Sequence, residues 1–121
     1  MQDFKNLTVW QKAHTITLNV YHATAAFPKD ELFGLTSQTR RACASIPANI
    51  AEGCGKDGDV EFGRFIQIAM GSAYELEYHI LLAHDLGYLN DGDYENINNQ
   101  VGEIRKMLMA LKTKLKSTHP S

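Results

Sequence analysis

The sequence predicts an all-α protein that folds as an antiparallel up-down-up-down four-helix bundle, and three observations support this. Four segments place apolar residues at alternating steps of three and four, which lines one face of a helix. The strict alternation of apolar and polar residues that is typical of strands is missing from the sequence. The links between the four segments are short, so consecutive helices are expected to pack antiparallel around one core.

The first helix is predicted over residues 8–27. Thr8 and Gln11 fit a capping box, in which each side chain bonds the backbone amide of the other. Pro28 is expected to end the helix, because the residue before a proline avoids the α region.

The second helix is predicted over residues 35–53 and contains Pro47. A proline inside a helix removes one backbone hydrogen bond and crowds the carbonyl four residues earlier. The apolar phase of the helix continues past Pro47, so we predict a kink at this point and not a break.

The third helix, over residues 58–87, is predicted to have two apolar faces. Its core face repeats every seven residues, the spacing of a bundle seam. The members of that repeat are Phe62, Ile66, Ala69, Ala73, Leu76, Ile80, Ala83 and Gly87. Phe65, Ile68 and Leu82 lie on a second face. Because no helix is central in a four-helix bundle, this second face predicts an interface between copies of the chain.

The fourth helix is predicted over residues 91–117, and it completes a single domain over residues 1–121. After Glu103 every charged residue is basic, and Arg105, Lys112 and Lys116 fall within about 40° of each other around the helix. Two interpretations are open. The cations form a solvated face that suits the helix dipole, or they form a strip that contacts RNA phosphates.

A second set of polar residues lies among small and apolar ones, in the second and third helices. It consists of Arg41, Asn49, Glu52 and Glu75. Charges in a crowded interface must be paired to offset their desolvation, which predicts an Arg–Glu network between helices or between subunits. The alternative is a site for a small ligand lined by these four residues.

Composition excludes several function classes. The chain has 121 residues and a net charge of −2, which argues against a uniformly basic nucleic-acid coat. We expect no signal peptide and no membrane span, and therefore a cytoplasmic protein with Cys43 and Cys54 as free thiols. The histidine spacing gives no helical metal pair. We accordingly expect no catalytic residues, no metal and no cofactor.

Four stretches of the chain resemble one known family. They cover residues 4–13, 27–42 and 62–77, together with the run Ser45-Ile46-Pro47-Ala48-Asn49-Ile50-Ala51-Glu52-Gly53. The chain resembles the bacterial four-helix-bundle proteins associated with intervening sequences in 23S ribosomal RNA genes. The resemblance implies a ring-like homopentamer without enzymatic activity. It also implies similarity to the accessory protein of diversity-generating retroelements, which binds RNA and a reverse transcriptase.

The function predicted from residues and resemblance together is a non-catalytic oligomeric adaptor that binds structured RNA or a ribonucleoprotein. One alternative is a protein–protein assembly module without a nucleic-acid partner. Another is a small-molecule binder that uses the cluster of Arg41, Asn49, Glu52 and Glu75.

Overall fold

Four α-helices make up most of residues 3–117, the part of the chain that the computed structural model describes. They are α1 (Thr8–Thr24), α2 (Ser37–Cys54), α3 (Gly58–Asp85) and α4 (Asp91–Ser117). Three short turns supplement them, at Phe4–Asn6, Lys29–Glu31 and Leu32–Thr36. Residues 3–117 contain no strand, and the predicted all-α class is confirmed.

The helices form a ring in which each packs on two neighbours, with α2 against α3, α3 against α4, and α1 against both α2 and α4. Contacts across each pair run in opposite directions along the chain. On α2, Arg41 pairs with Glu75 of α3, whereas Gly53, further along α2, lies against Phe62, earlier in α3. This opposed register confirms the up-down-up-down arrangement.

One core fills the centre of the ring. Seven of the eight residues of the predicted repeat are buried. The eighth, Gly87, is exposed because α3 ends before it, at Asp85. The other helices add buried side chains at the predicted spacing, namely Ala13, Ile16 and Val20 from α1, Ile46 and Ile50 from α2, and Ile97, Val101, Ile104 and Leu108 from α4. Burial of each large aliphatic side chain stabilises the fold by about 1.5–3 kcal/mol.

Helix α1 begins at Thr8 as predicted, but its N-terminal cap and its C-terminal end differ from the prediction. Leu7 occupies the position before the helix, and the Gln11 amide instead donates to the Lys5 carbonyl at 2.8 Å. The predicted capping box is therefore wrong, because the preceding turn brings a different acceptor to Gln11. The helix ends at Thr24, three residues early, and Phe27 then donates its N–H to the Thr24 carbonyl at 3.1 Å.

Helix α2 begins two residues later than predicted. Gly34 interrupts the preceding turn with φ −113° and ψ −113°. The Glu31 carboxylate steadies this turn by accepting from the Leu35 N–H at 3.2 Å and from the Tyr88 hydroxyl at 3.2 Å. Beyond it, α2 continues through Pro47 without a break, as predicted. The predicted kink at Pro47 stays a prediction.

A C-cap with a left-handed glycine ends α3 at the start of the link to α4. Helix α3 ends at Asp85, two residues before its predicted end, because Gly87 adopts a left-handed φ of 82°. The Tyr88 N–H then donates to the Ala83 carbonyl at 2.9 Å, which is the Schellman pattern. Helix α4 has its predicted bounds, and the Asn90 side chain caps it by accepting from the Asp93 N–H at 2.7 Å.

Candidate nucleic-acid interface

Arg105 is the first residue of the predicted basic strip, and the structure places it in an ion pair. Its Nε donates to the Glu77 carboxylate of α3 at 2.8 Å, and its guanidinium lies 4.8 Å from the centre of the Tyr74 ring. Only 28% of the Arg105 side chain is exposed. Glu77 therefore neutralises most of the charge that Arg105 would offer to a phosphate.

Lys112 and Lys116 lie one helical turn apart at a surface groove between α3 and α4. We call this the α3–α4 groove; its volume is about 390 Å³. Its lining residues are Asp59, Val60, Gly63, Arg64, Gln67, Lys112, Leu115 and Lys116. The Lys112 ammonium donates to the Gln67 side-chain carbonyl. Because that acceptor is neutral, it leaves the positive charge of Lys112 in place.

Arg64 is a third cation at this groove, and the sequence analysis missed it. Its Nε lies 3.3 Å from the Glu61 carboxylate, and its guanidinium lies 5.4 Å from the centre of the Phe65 ring. The side chain is nonetheless 64% exposed. The spacing of Arg64 and Gln67 places both on one side of α3. Only the register of α3 against α4 shows that this side meets Lys112.

The predicted Arg–Glu contact between the second and third helices is confirmed. Arg41 of α2 forms an ion pair with Glu75 of α3 and also donates to Gln38 at 3.0 Å. One helical turn further along α2, the Ser45 and Ser72 hydroxyls lie 2.9 Å apart.

Asn49 and Glu52, the other two members of this predicted set, have different surroundings. The Asn49 side chain donates to the Ser45 carbonyl at 2.8 Å and to the Ser45 hydroxyl at 2.9 Å. Glu52 is exposed. The structure thus joins Arg41 with Glu75 and Asn49 with Ser45, and it does not bring the four residues around one ligand. This arrangement favours a packing role for the set.

His79 lies beside the Arg41–Glu75 pair, on the same side of α3. Its Nε2 is 3.7 Å from the Glu75 carboxylate, and only 14% of its side chain is exposed. Burial lowers the pKa of His79, against the opposing effect of the Glu75 charge. Its Nδ1 is buried without a hydrogen-bond partner among the described residues. His79 is therefore held as a neutral imidazole near neutral pH.

The residues predicted to form the oligomer interface separate into two kinds. Phe65 is only 8% exposed, so its assignment to an uncovered face is wrong. The reason is Gly53, whose missing side chain lets α2 approach Phe62 and Phe65 closely. Ile68 is 44% exposed and Leu82 is half-buried.

Further apolar surface on α3 remains open beside Ile68. The large side chains involved are each between 41% and 59% exposed, and they are Tyr74, Tyr78, Leu81 and Leu86. The second apolar face of α3 therefore exists without Phe65. Its role between copies of the chain stays a prediction.

Both cysteines are free and buried. Burial raises the pKa of the Cys43 thiol to about 11, and it also raises the pKa of Cys54. Both groups are therefore protonated and poorly nucleophilic at neutral pH. Across residues 3–117 no three His, Cys, Asp or Glu side chains are grouped to hold a metal. None of the helices in that range combines the length and the apolar character that crossing a membrane requires.

Comparisons with known proteins identify a family and a similar fold. The family model described as 23S rRNA-intervening sequence protein matches residues 5–110. A crystal structure of a protein of unknown function from the S23 ribosomal protein family of Bacteroides thetaiotaomicron has a TM-score of 0.80 to this chain. The two are 27% identical, and the match covers 87% of this chain and 95% of that one. No curated protein matches the sequence.

Proposed function

The chain belongs to the 23S rRNA-intervening sequence protein family, and we propose that it is a non-catalytic oligomeric adaptor that binds structured RNA or a ribonucleoprotein in the cytoplasm. The observation that carries this proposal is the cation excess at the α3–α4 groove. Arg64, Lys112 and Lys116 line one cavity. The acids nearest to them are Asp59, in the lining, and Glu61, which pairs with Arg64.

The two ends of the bundle differ in charge, which supports this assignment. The groove lies where α3 begins and α4 ends, and there the basic residues that follow Glu103 offset the acids Asp57, Asp59 and Glu61. The opposite end carries the acidic residues Asp30, Glu31, Asp85, Asp91 and Asp93. A polyanion approaching a protein with a net charge of −2 is therefore directed to the groove end.

Assembly of several copies would strengthen this binding. A single groove with three cations contacts few phosphates, and affinity for RNA grows with the number of phosphates neutralised. Copies that associate through the outer face of α3 would present several grooves to one RNA, and linked contacts of this kind raise avidity. We propose this role for Ile68 and Leu82, including the ring-like homopentamer that the resemblance implies.

The test is salt-dependent binding of a structured ribosomal RNA fragment to the full chain. We expect Lys112→Glu/Lys116→Glu to weaken binding at least about tenfold and to reduce the salt slope by about one per lysine removed. The matched control is Lys12→Glu/Lys29→Glu. It changes net charge equally, but Lys12 pairs with Glu103 on the α1–α4 side and Lys29 lies in the turn before α2.

Equal loss of binding in both double variants would show that only net charge matters. Absence of wild-type binding at low salt would overturn the proposal.

A protein–protein assembly module is the second candidate, because the exposed apolar side chains of α3 are of the kind that protein partners cover. It shares the oligomeric part of the proposal and lacks RNA binding. Light scattering of wild type and of Leu81→Lys/Leu86→Lys measures the oligomer directly. If the lysine variant dissociates while neither protein binds RNA, this second function replaces the first.

A further inference from the structure

We propose that the α3–α4 groove takes one unpaired nucleotide of an RNA loop, with its phosphate at Lys112 and Lys116 and its base against the Arg64 guanidinium. This inference rests on the proposed RNA-binding function and names the RNA element that the site selects. A helix of paired RNA presents its phosphates on a convex surface, whereas an unpaired nucleotide can enter a groove.

The apolar part of the groove lining favours a ligand with an apolar face. It consists of Val60, Gly63 and Leu115, and Val60 is 71% exposed. Phosphates resting on the rim would leave this apolar surface in water. A base or ribose that enters the groove covers it, and the volume of about 390 Å³ lies within the usual range of ligand clefts.

Arg64 offers the groove a guanidinium on which a base can stack. Its guanidinium contacts the Phe65 ring and pairs with Glu61 of the preceding turn, so two neighbours limit its motion. The exposed fraction of 64% leaves surface on the groove side of the side chain. Guanidinium planes and aromatic rings are the two platforms on which proteins stack unpaired bases.

Gln67 adds a polar group to the lining of the groove. The Lys112 ammonium donates to its side-chain carbonyl, which holds the cation at the groove. The Gln67 amide carries N–H donors that can bond a base carbonyl.

The experiment fills the groove without changing charge. A Cβ at Gly63 would meet no atom within 4 Å, so Gly63→Leu is expected to fold and to reduce the space in the groove. Gly102→Leu is the matched control, because Gly102 of α4 is equally open, does not line the groove and lies outside the outer face of α3. The two probes are an RNA hairpin with about six unpaired loop nucleotides and a blunt RNA duplex with the same number of phosphates.

We expect Gly63→Leu to weaken hairpin binding about fivefold or more, the effect of losing one stacked base. Its binding to the duplex should change by less than about twofold, since the charges stay in place. Gly102→Leu should leave both affinities unchanged.

Two outcomes would overturn the inference. One is hairpin binding by Gly63→Leu that equals the wild type while Lys112→Glu/Lys116→Glu still loses RNA, in which case the proposed function stands and the groove is not its nucleotide site. The other is displacement of the hairpin by an acidic polyglutamate peptide as readily as by unlabelled hairpin. That result would make the groove a general polyanion or acidic-peptide site.

Discussion

Two seams flank α3, the contact between α2 and α3 and the contact between α3 and α4, and they differ in how their polar side chains are paired. In the α2–α3 seam the chain supplies both partners, as Arg41 with Glu75 and Ser45 with Ser72. At the groove end of the α3–α4 seam, the partner of Lys112 within residues 3–117 is a neutral amide, that of Gln67. Polar groups that find partners of their own chain stabilise the fold, whereas cations left in excess are available to a ligand.

The largest change in stability we expect comes from the different distances at which the helices approach in the two seams. A Cβ at Gly53 would lie 2.9 Å from the Phe62 ring and 3.0 Å from the Phe65 Cβ. Gly53→Leu should therefore overpack the α2–α3 seam and lower the free energy of unfolding by about 1–3 kcal/mol. Urea unfolding followed by circular dichroism measures this difference.

Gly63→Leu is the matched change in the other seam. No atom lies within 4 Å of the added Cβ, and leucine is a better helix former than glycine by up to about 1 kcal/mol. We expect the stability to stay level or to rise. If both variants lose the same stability, the seams do not differ in closeness and the comparison fails.

The helices and their core were predictable because they depend on spacing within one segment. Seven of the eight repeat positions predicted for α3 are buried, and the bounds of α4 agree with the prediction. The C-terminal end of α1 and the start of α2 were predicted wrongly, because contacts from other segments determine where these helices stop and begin. Glu31, for example, holds the turn before α2 while it also bonds to Tyr88.

The candidate site was predictable only in part, for the same reason. Lys112 and Lys116 share a face of one helix, and helical period shows this. The register of α3 against α4 decides two further features: Glu77 neutralises Arg105, and Arg64 joins the two lysines. Phe65 was misplaced because its cover comes from Gly53 of another helix.

A smaller effect is expected from the ion pairs of the two seams. The Arg41 and Glu75 side chains are 52% and 37% exposed, whereas those of Arg105 and Glu77 are 28% and 34% exposed. Solvent screens the first pair more. Double-mutant cycles to alanine should give couplings of about 0.2–1 kcal/mol, with the Arg105–Glu77 coupling the larger.

The measurement is the unfolding free energy of each single and double variant, repeated at high salt. Both couplings should weaken there, and that of Arg41–Glu75 the more. A stronger coupling for the exposed pair would contradict our interpretation that burial decides the strength.

A still smaller effect is the pH dependence of stability that the two histidines of α3 cause, and its sign differs between the seams. In the α2–α3 seam burial lowers the pKa of His79, despite the nearby Glu75 carboxylate. A group whose folded pKa is lowered stabilises the protein above its unfolded pKa of about 6.5 and loses that contribution as pH falls. Relative to His79→Gln, the wild type should therefore lose stability between about pH 7.5 and pH 5.

The smallest effect lies at the other seam, where His84 is partly exposed. Its hydrogen bond to Asp91, at 2.6 Å across the turn into α4, raises the pKa of His84. A raised folded pKa stabilises the protein fully below about pH 6.5, and the contribution is lost as pH rises through the folded pKa. The wild type should therefore gain stability over His84→Gln on acidification, opposite to the His79 comparison, and Asp91→Asn should flatten the His84 difference.

If the two histidines, five residues apart on one helix, gave pH slopes of the same sign, a property of α3 as a whole would set their protonation. The contrast between the surroundings of the two histidines would then lose its electrostatic support.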